Sequence, residues 1–98
     1  MNTTIKVKDI SDNTTSNNSG SNLFMILNNC LKNNEQIEVS FEGVRTISSS
    51  YLNSSIGELF DIYGVENVKS KIRFVQLDPV IKSLLIDYIN NYSKLHLA

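Results

Sequence analysis

The chain has 98 residues, a length that makes one domain rather than two and that can bury a core without disulfides or metal. Nine Lys and Arg stand against ten Asp and Glu, a net charge of −1, so no strong field draws the chain to nucleic acid or to an anionic membrane. A single cysteine, Cys30, excludes an internal disulfide and suits a reducing compartment; with no apolar leader region and no stretch of membrane-spanning length, a cytoplasmic location is expected.

Residues 4–8 alternate, with Ile5 and Val7 facing in and Lys6 and Lys8 facing out, which predicts a strand. Residues 9–20 are rich in Asn, Ser and Thr and read as a polar loop. This loop is long for a connection, with room for a short second strand near Ile10. Residues 21–32 predict the first helix. Leu23, Ile26, Leu27, Cys30 and Leu31 form its apolar stripe, Ser19 or Ser21 can cap it, and Asn33-Asn34 ends it.

The central stretch is the most informative. Ile37, Val39 and Phe41 alternate with Glu38, Ser40 and Glu42, a strand with one apolar and one polar face, and Gly43 breaks it. Ser48, Ser49 and Ser50 follow. One of them supplies the N-cap of a helix, which leaves two hydroxyls at its positive end. Leu52, Ile56, Leu59, Phe60 and Tyr63 fall on one arc of that helix, and Gly64 stops it. Residues 66–69 read as a linker. Residues 71–77 predict a third strand, with Ile72 and Phe74 on one side and Arg73 and Val75 on the other. Asp78-Pro79 opens the last helix, Asp as cap and Pro at the first helical position. Its residues Val80, Ile81, Leu84, Leu85, Tyr88, Ile89 and Tyr92 make it broadly apolar, for a core or for a partner, a homodimer included. Residues 93–98 read as a tail.

The order β-α-β-α-β-α implies an α/β fold: a single domain over residues 1–98, with a mainly parallel sheet covered by helices. Partners and ligands of such sheets favour the loops at the carboxyl ends of the strands, where the serine loop lies.

Catalytic chemistry finds no footing. His96 is the only histidine and sits in the tail, and Cys30 sits in an apolar stripe. Neither has a companion that would activate it. Metal-ligand spacings and a glycine-rich phosphate loop are absent, so no metal, no cofactor and no enzymatic activity are expected. Lys69, Lys71 and Arg73 form a short basic row. It is too small for nucleic acid and serves equally as a charged strand edge. The surface with most promise is the serine loop and the helix after it. Ser50, Ser54, Gly57 and Asp61 line up away from the apolar arc, flanked by Tyr51 and Ile62. Small residues there would let another backbone approach, although a plain wet helix face explains the stripe as well. The candidate contact and switch residues are Ser48, Ser49, Ser50, Tyr51, Asn53, Ser54, Gly57 and Asp61. A phosphate on one of the serines would add about −1.5 to −2 charges and repel an acidic partner.

The segments Val39-Ser-Phe-Glu-Gly-Val44 and Ile47-Ser-Ser-Ser-Tyr-Leu-Asn-Ser-Ser-Ile-Gly-Glu-Leu59 carry a resemblance. They are similar to the strand pattern Asp-Phe-x-Gly-Val and the helix opening Ser-Ser-Phe-Leu-Asn-x-x-Ile-Gly of the STAS-like domain family of unknown function. That family is distantly related to sulfate-transporter and anti-sigma-antagonist domains. Ser40 stands where the family often has Asp, and Tyr51 where it usually has Phe; an arginine that many members carry near the first helix is missing. The resemblance implies a non-enzymatic bacterial regulator that binds a protein partner, with a histidine-kinase-like ATPase as one such partner. It also implies phosphorylation near Ser49, although the Asp and Gly that adjoin the antagonists' phosphorylated serine are absent here. Two other readings compete: a small phage- or mobile-element-encoded inhibitor of a bacterial defence nuclease complex, and a nucleotide sensor at the carboxyl end of the sheet.

Overall fold

The structure, a computed structural model, describes residues 2–11 and 13–97, without the side chains of residue 2 and of residues 93–97. Three strands form a parallel sheet in the order β1 (Asn2–Lys6), β2 (Gln36–Ser40), β3 (Ile72–Val75). In register, Ile5 lies beside Val39 and Val39 beside Phe74. Helices α1 (Val7–Ile10) and α2 (Asn17–Lys32) connect β1 to β2. Helices α3 (Ser49–Ser54), α4 (Ile56–Tyr63) and α5 (Val65–Lys71) connect β2 to β3, and α6 (Pro79–Leu97) follows. The architecture is the α/β one expected from the alternation of patterns.

The sheet is one-sided. Crossovers are right-handed, and two that step the same way across a sheet put their helices on the same face. Ile5, Ile37, Val39, Phe41 and Ile72 point to that face and are buried with Leu23, Leu27, Ile56, Leu59, Phe60, Ile81 and Leu85. Each such side chain contributes roughly 1.5–3 kcal/mol by leaving water. The opposite face shows Thr4, Lys6, Glu38 and Arg73. Two ion pairs lie there, Lys6 to Glu42 at 3.6 Å and Arg73 to Glu38 at 3.8 Å. Helices therefore cover one face of the sheet and not both.

Five local expectations change. β1 ends at Lys6, and Val7 and Lys8 belong to α1, which closes as Ser11 N donates to Val7 O at 2.9 Å. Ile10 lies in α1 and not in a second strand. Helix α2 starts at residue 17 rather than 21, because Ser16 is its cap and accepts from Ser19 N at 3.2 Å. The expected linker at 66–69 is the helix α5: Gly64, at φ +87°, redirects the chain, and Val68 is buried. The backbone of residues 93–97 continues α6, where a tail was expected; the side chain of His96 and all of Ala98 lie outside the described residues. The anticipated start of α6 is present, with Asp78 Oδ1 accepting from Val80 N at 2.8 Å.

Candidate functional site

The serine corner is built where β2 delivers the chain to α3. Phe41 is buried, and its N–H donates to Val75 O at 3.1 Å, which ties the end of β2 to β3. A turn follows, with Gly43 at φ +78° and Val44 N donating to Phe41 O at 2.9 Å. Val44 and Ile47 anchor the next segment in the core. Ser48 is the cap among the three serines: its Oγ accepts from Tyr51 N at 3.0 Å. The same hydroxyl donates to Thr15 O at 2.8 Å, and Ser48 N donates to Thr14 O at 3.0 Å. Thr14 Oγ1 in turn donates to Thr46 O at 2.5 Å. The loop before α2 thus braces the corner along three bonds, and both capacities of the Ser48 hydroxyl are in use.

The remaining candidate residues divide into two sets. Ser49, Ser50, Asn53 and Asp61 are exposed. Asn53 Oδ1 accepts from the Tyr88 hydroxyl at 2.7 Å, and Asp61 is hydrogen-bonded by Tyr92. Tyr51, Ser54 and Gly57 are engaged inside the molecule and do not form an open contact face. Tyr51 is 0% exposed, with its hydroxyl 2.7 Å from Ser11 Oγ. Burial pushes the Tyr51 hydroxyl above its ordinary pKa, and the bond with Ser11 draws it part of the way back. Ser54 Oγ donates to Ser50 O at 2.8 Å and meets the surface of Gly20 on α2. A Cβ added at Gly20 would collide with Ser54 Oγ and sit 2.6 Å from Tyr51 O, so α2 and α3 cross backbone to backbone. Gly57 is buried, its carbonyl accepting from the Tyr92 hydroxyl at 3.2 Å. The small residues do admit a close neighbour, and that neighbour is this chain's own α2 and α6.

The expected single helix is broken at Ser55. Its N–H reaches Leu52 O at 3.3 Å, while its hydroxyl takes Tyr51 O at 2.7 Å, the acceptor that a continuous helix would reserve for the backbone. This back-bonding bends the axis and swings α4 against α6. Tyr88 and Tyr92 cover the bend, Tyr92 edge-on to Phe60 at 5.1 Å. Burial, with Asp61 and then Glu58 adding to it, pushes the Tyr88 hydroxyl up to about 12.

Ser11, Thr14, Thr15 and Tyr88 do structural work at this site that no local pattern disclosed. Their hydroxyl and carbonyl groups look like ordinary loop or helix-surface groups until the two loops are juxtaposed. Cys30 is buried, and burial with the neighbouring Glu35 pushes its thiol up. Among the described residues no three His, Cys, Asp or Glu side chains converge, and no helix is long and apolar enough to cross a membrane.

A family model described as a STAS-like domain of unknown function (DUF4325) matches residues 19–82, well over half of the chain. The chain belongs to this family. No curated protein and no solved structure matches it. In this STAS-like domain the matched span runs from within α2 to within α6 and includes β2, the serine corner and β3. β1, α1 and the bracing loop precede it.

Proposed function

We propose that this STAS-like domain is a non-enzymatic protein-interaction module, and that its partner reads the exposed part of the serine corner, Ser49, Ser50 and Asn53. The observation that carries the reading is the bracing of that corner. Three hydrogen bonds from residues 14–15 hold the loop below Ser49 and Ser50, so hydroxyls open to solvent sit on a preformed backbone. A surface already ordered loses little conformational entropy on binding. Tyr51, Ser54 and Gly57 then act from behind, as the scaffold of the contact.

By family analogy the partner is a histidine-kinase-like ATPase, and phosphate on Ser49 is the switch. Ser49 suits modification better than Ser48, whose hydroxyl already serves the cap and Thr15. The test is capture of the partner from the native host with wild type and with Ser50→Arg, followed by intact-mass measurement of Ser49 phosphorylation with the captured protein and ATP. The reading expects loss of capture in the variant at an unchanged thermal midpoint. Equal capture by both proteins would remove the corner as the interface. An unmodified mass would remove the switch alone.

A further inference from the structure

A second feature lies at the carboxyl end of the sheet, where the bracing loop forms part of one wall. The segment after β1 and the segment after β2 run side by side and leave an open cleft of about 330 Å³ between them. Lys8, Ser11, Asn13 and Thr14 line one wall, and Gly43, Val44, Arg45 and Thr46 the other. Each wall thus contributes one cation. Neither Lys8 nor Arg45 has an ion-pair partner among the described residues, in contrast to Lys6 and Arg73. None of the described lining residues is a carboxylate; Asp12, between Ser11 and Asn13 in the sequence, lies outside the described residues. The Lys8 stem lies across the Gly43 turn, with its Cδ 3.1 Å from where a Cβ would stand, so its ammonium is carried toward the Arg45 wall.

Asn13 adds donors of a different kind. Its Oδ1 accepts from Thr15 N at 3.0 Å and from Ser16 N at 2.9 Å. Two backbone N–H groups on one atom identify that atom as the oxygen, which leaves the Nδ2 donors unused by the fold. Two cations and an amide donor on the described lining are complementary to an anion with several acceptor oxygens. Arg binds such a group through paired N–H donors and Lys as a point charge. The position is also the one where parallel sheets receive ligands.

We infer that this cleft binds the phosphate group of a small phosphorylated molecule, held by Arg45, Lys8 and the Asn13 amide. The cleft shares Thr14 and Thr46 with the bracing of the corner but none of the partner-reading Ser49, Ser50 and Asn53, and half of its wall precedes the span shared with the family.

The experiment is a titration of the isotope-labelled full chain with inorganic phosphate, a nucleoside monophosphate and the matching nucleoside, followed by amide NMR. Saturable shifts at residues 8–14 and 43–46 with the two phosphate-bearing probes, and none with the nucleoside, support the site. Tighter binding of the nucleotide identifies an organic phosphate as ligand; equal binding identifies the bare anion. Arg45→Gln and Lys8→Gln each weaken binding by roughly tenfold, as expected for loss of one charge-assisted contact. Arg73→Gln, on the open sheet face, leaves it unchanged. The inference is overturned if phosphate gives no saturable shifts at millimolar concentration, if the nucleoside binds as well as the nucleotide, or if Arg73→Gln weakens binding as much as Arg45→Gln. Because the wild-type shift map locates the ligand by itself, a variant that fails to fold does not remove the test.

Discussion

Tyrosine hydroxyls do much of the joining in this chain. Tyr51 reaches Ser11, Tyr63 reaches Asn28 at 2.5 Å, and Tyr88 reaches Asn53. Each ring is set among apolar neighbours while its hydroxyl finds a polar partner, which lets a buried or half-buried aromatic be fully satisfied. The family resemblance has Phe where Tyr51 stands, and Ser11 is the compensating group for the extra oxygen. Tyr88 also makes stability depend on alkaline pH. Its ordinary value is 10 and its folded value about 12, so folding favours the neutral phenol. The contribution is fully present below pH 10 and is lost as pH rises toward 12, because the unfolded chain ionises first. Thermal midpoints of wild type should therefore fall more steeply between pH 10 and pH 12 than those of Tyr88→Phe. Equal slopes would assign the alkaline loss to other groups. At neutral pH the variant should be the weaker protein by about 1 kcal/mol, through the lost bond to Asn53.

At the scale of elements, the contact of α2 with α3 is the most demanding. Gly20 opens a gap that Ser54 fills, and α3 is only six residues long, too short to stand without that support. Gly20→Ala gains helix propensity, worth roughly 1 kcal/mol in a free helix. Here the added methyl meets Ser54 Oγ and the Tyr51 carbonyl, and the carbonyl cannot turn aside. A net loss of about 1–3 kcal/mol in urea unfolding is expected. A stabilised Gly20→Ala protein would mean that the helices stand further apart than described. The same contact explains why α2 begins so early. Residues 17–20 have weak intrinsic helix preference, but Ser16 caps them, Ser19 is buried and α3 covers Gly20.

The whole molecule is a two-layer arrangement, sheet below and helices above. Parallel sheets are usually covered on both faces, and their strands are then apolar throughout. The strands here alternate instead, with Thr4, Lys6, Glu38 and Arg73 on the outward side, although Ser40 on that side is buried, its hydroxyl bonded to Gln76. The two faces should respond to substitution very differently. Ile37→Ala, on the helix side of the central strand, should cost about 2–5 kcal/mol. Thr4→Lys, on the open side, should stay within about 0.5 kcal/mol of wild type. Comparable losses for both in chemical unfolding would show that a second layer covers the sheet. Both edge strands are also short, five residues in β1 and four in β3, which limits the backbone they offer for pairing with other chains.

Period and punctuation in the sequence were not enough for α1, α5 or the break between α3 and α4, but they were enough for the three strands and the alternation of strand with helix, the apolar arcs of α2 and α4, the glycine turns at 43 and 64, the Asp78 cap and a serine cap for α3. All of these rest on interactions within a few residues, so the local chain carries them. The polar face of β2 was legible as well, but the sheet was expected to be covered by helices, and the helices cover one face of it only. What only the tertiary structure decided were the groups that meet across distance: Ser48 with Thr14 and Thr15, Tyr51 with Ser11, Ser54 with Gly20, Tyr88 with Asn53, and Lys8 with Arg45 across one cleft. A helix-face count tells which side chains point the same way, but whether that direction holds solvent or another helix depends on where the crossovers return the chain. That is why Gly57 and, in part, Ser54, set on one outward stripe by periodicity, are covered by packing, and Tyr51 beside them is buried.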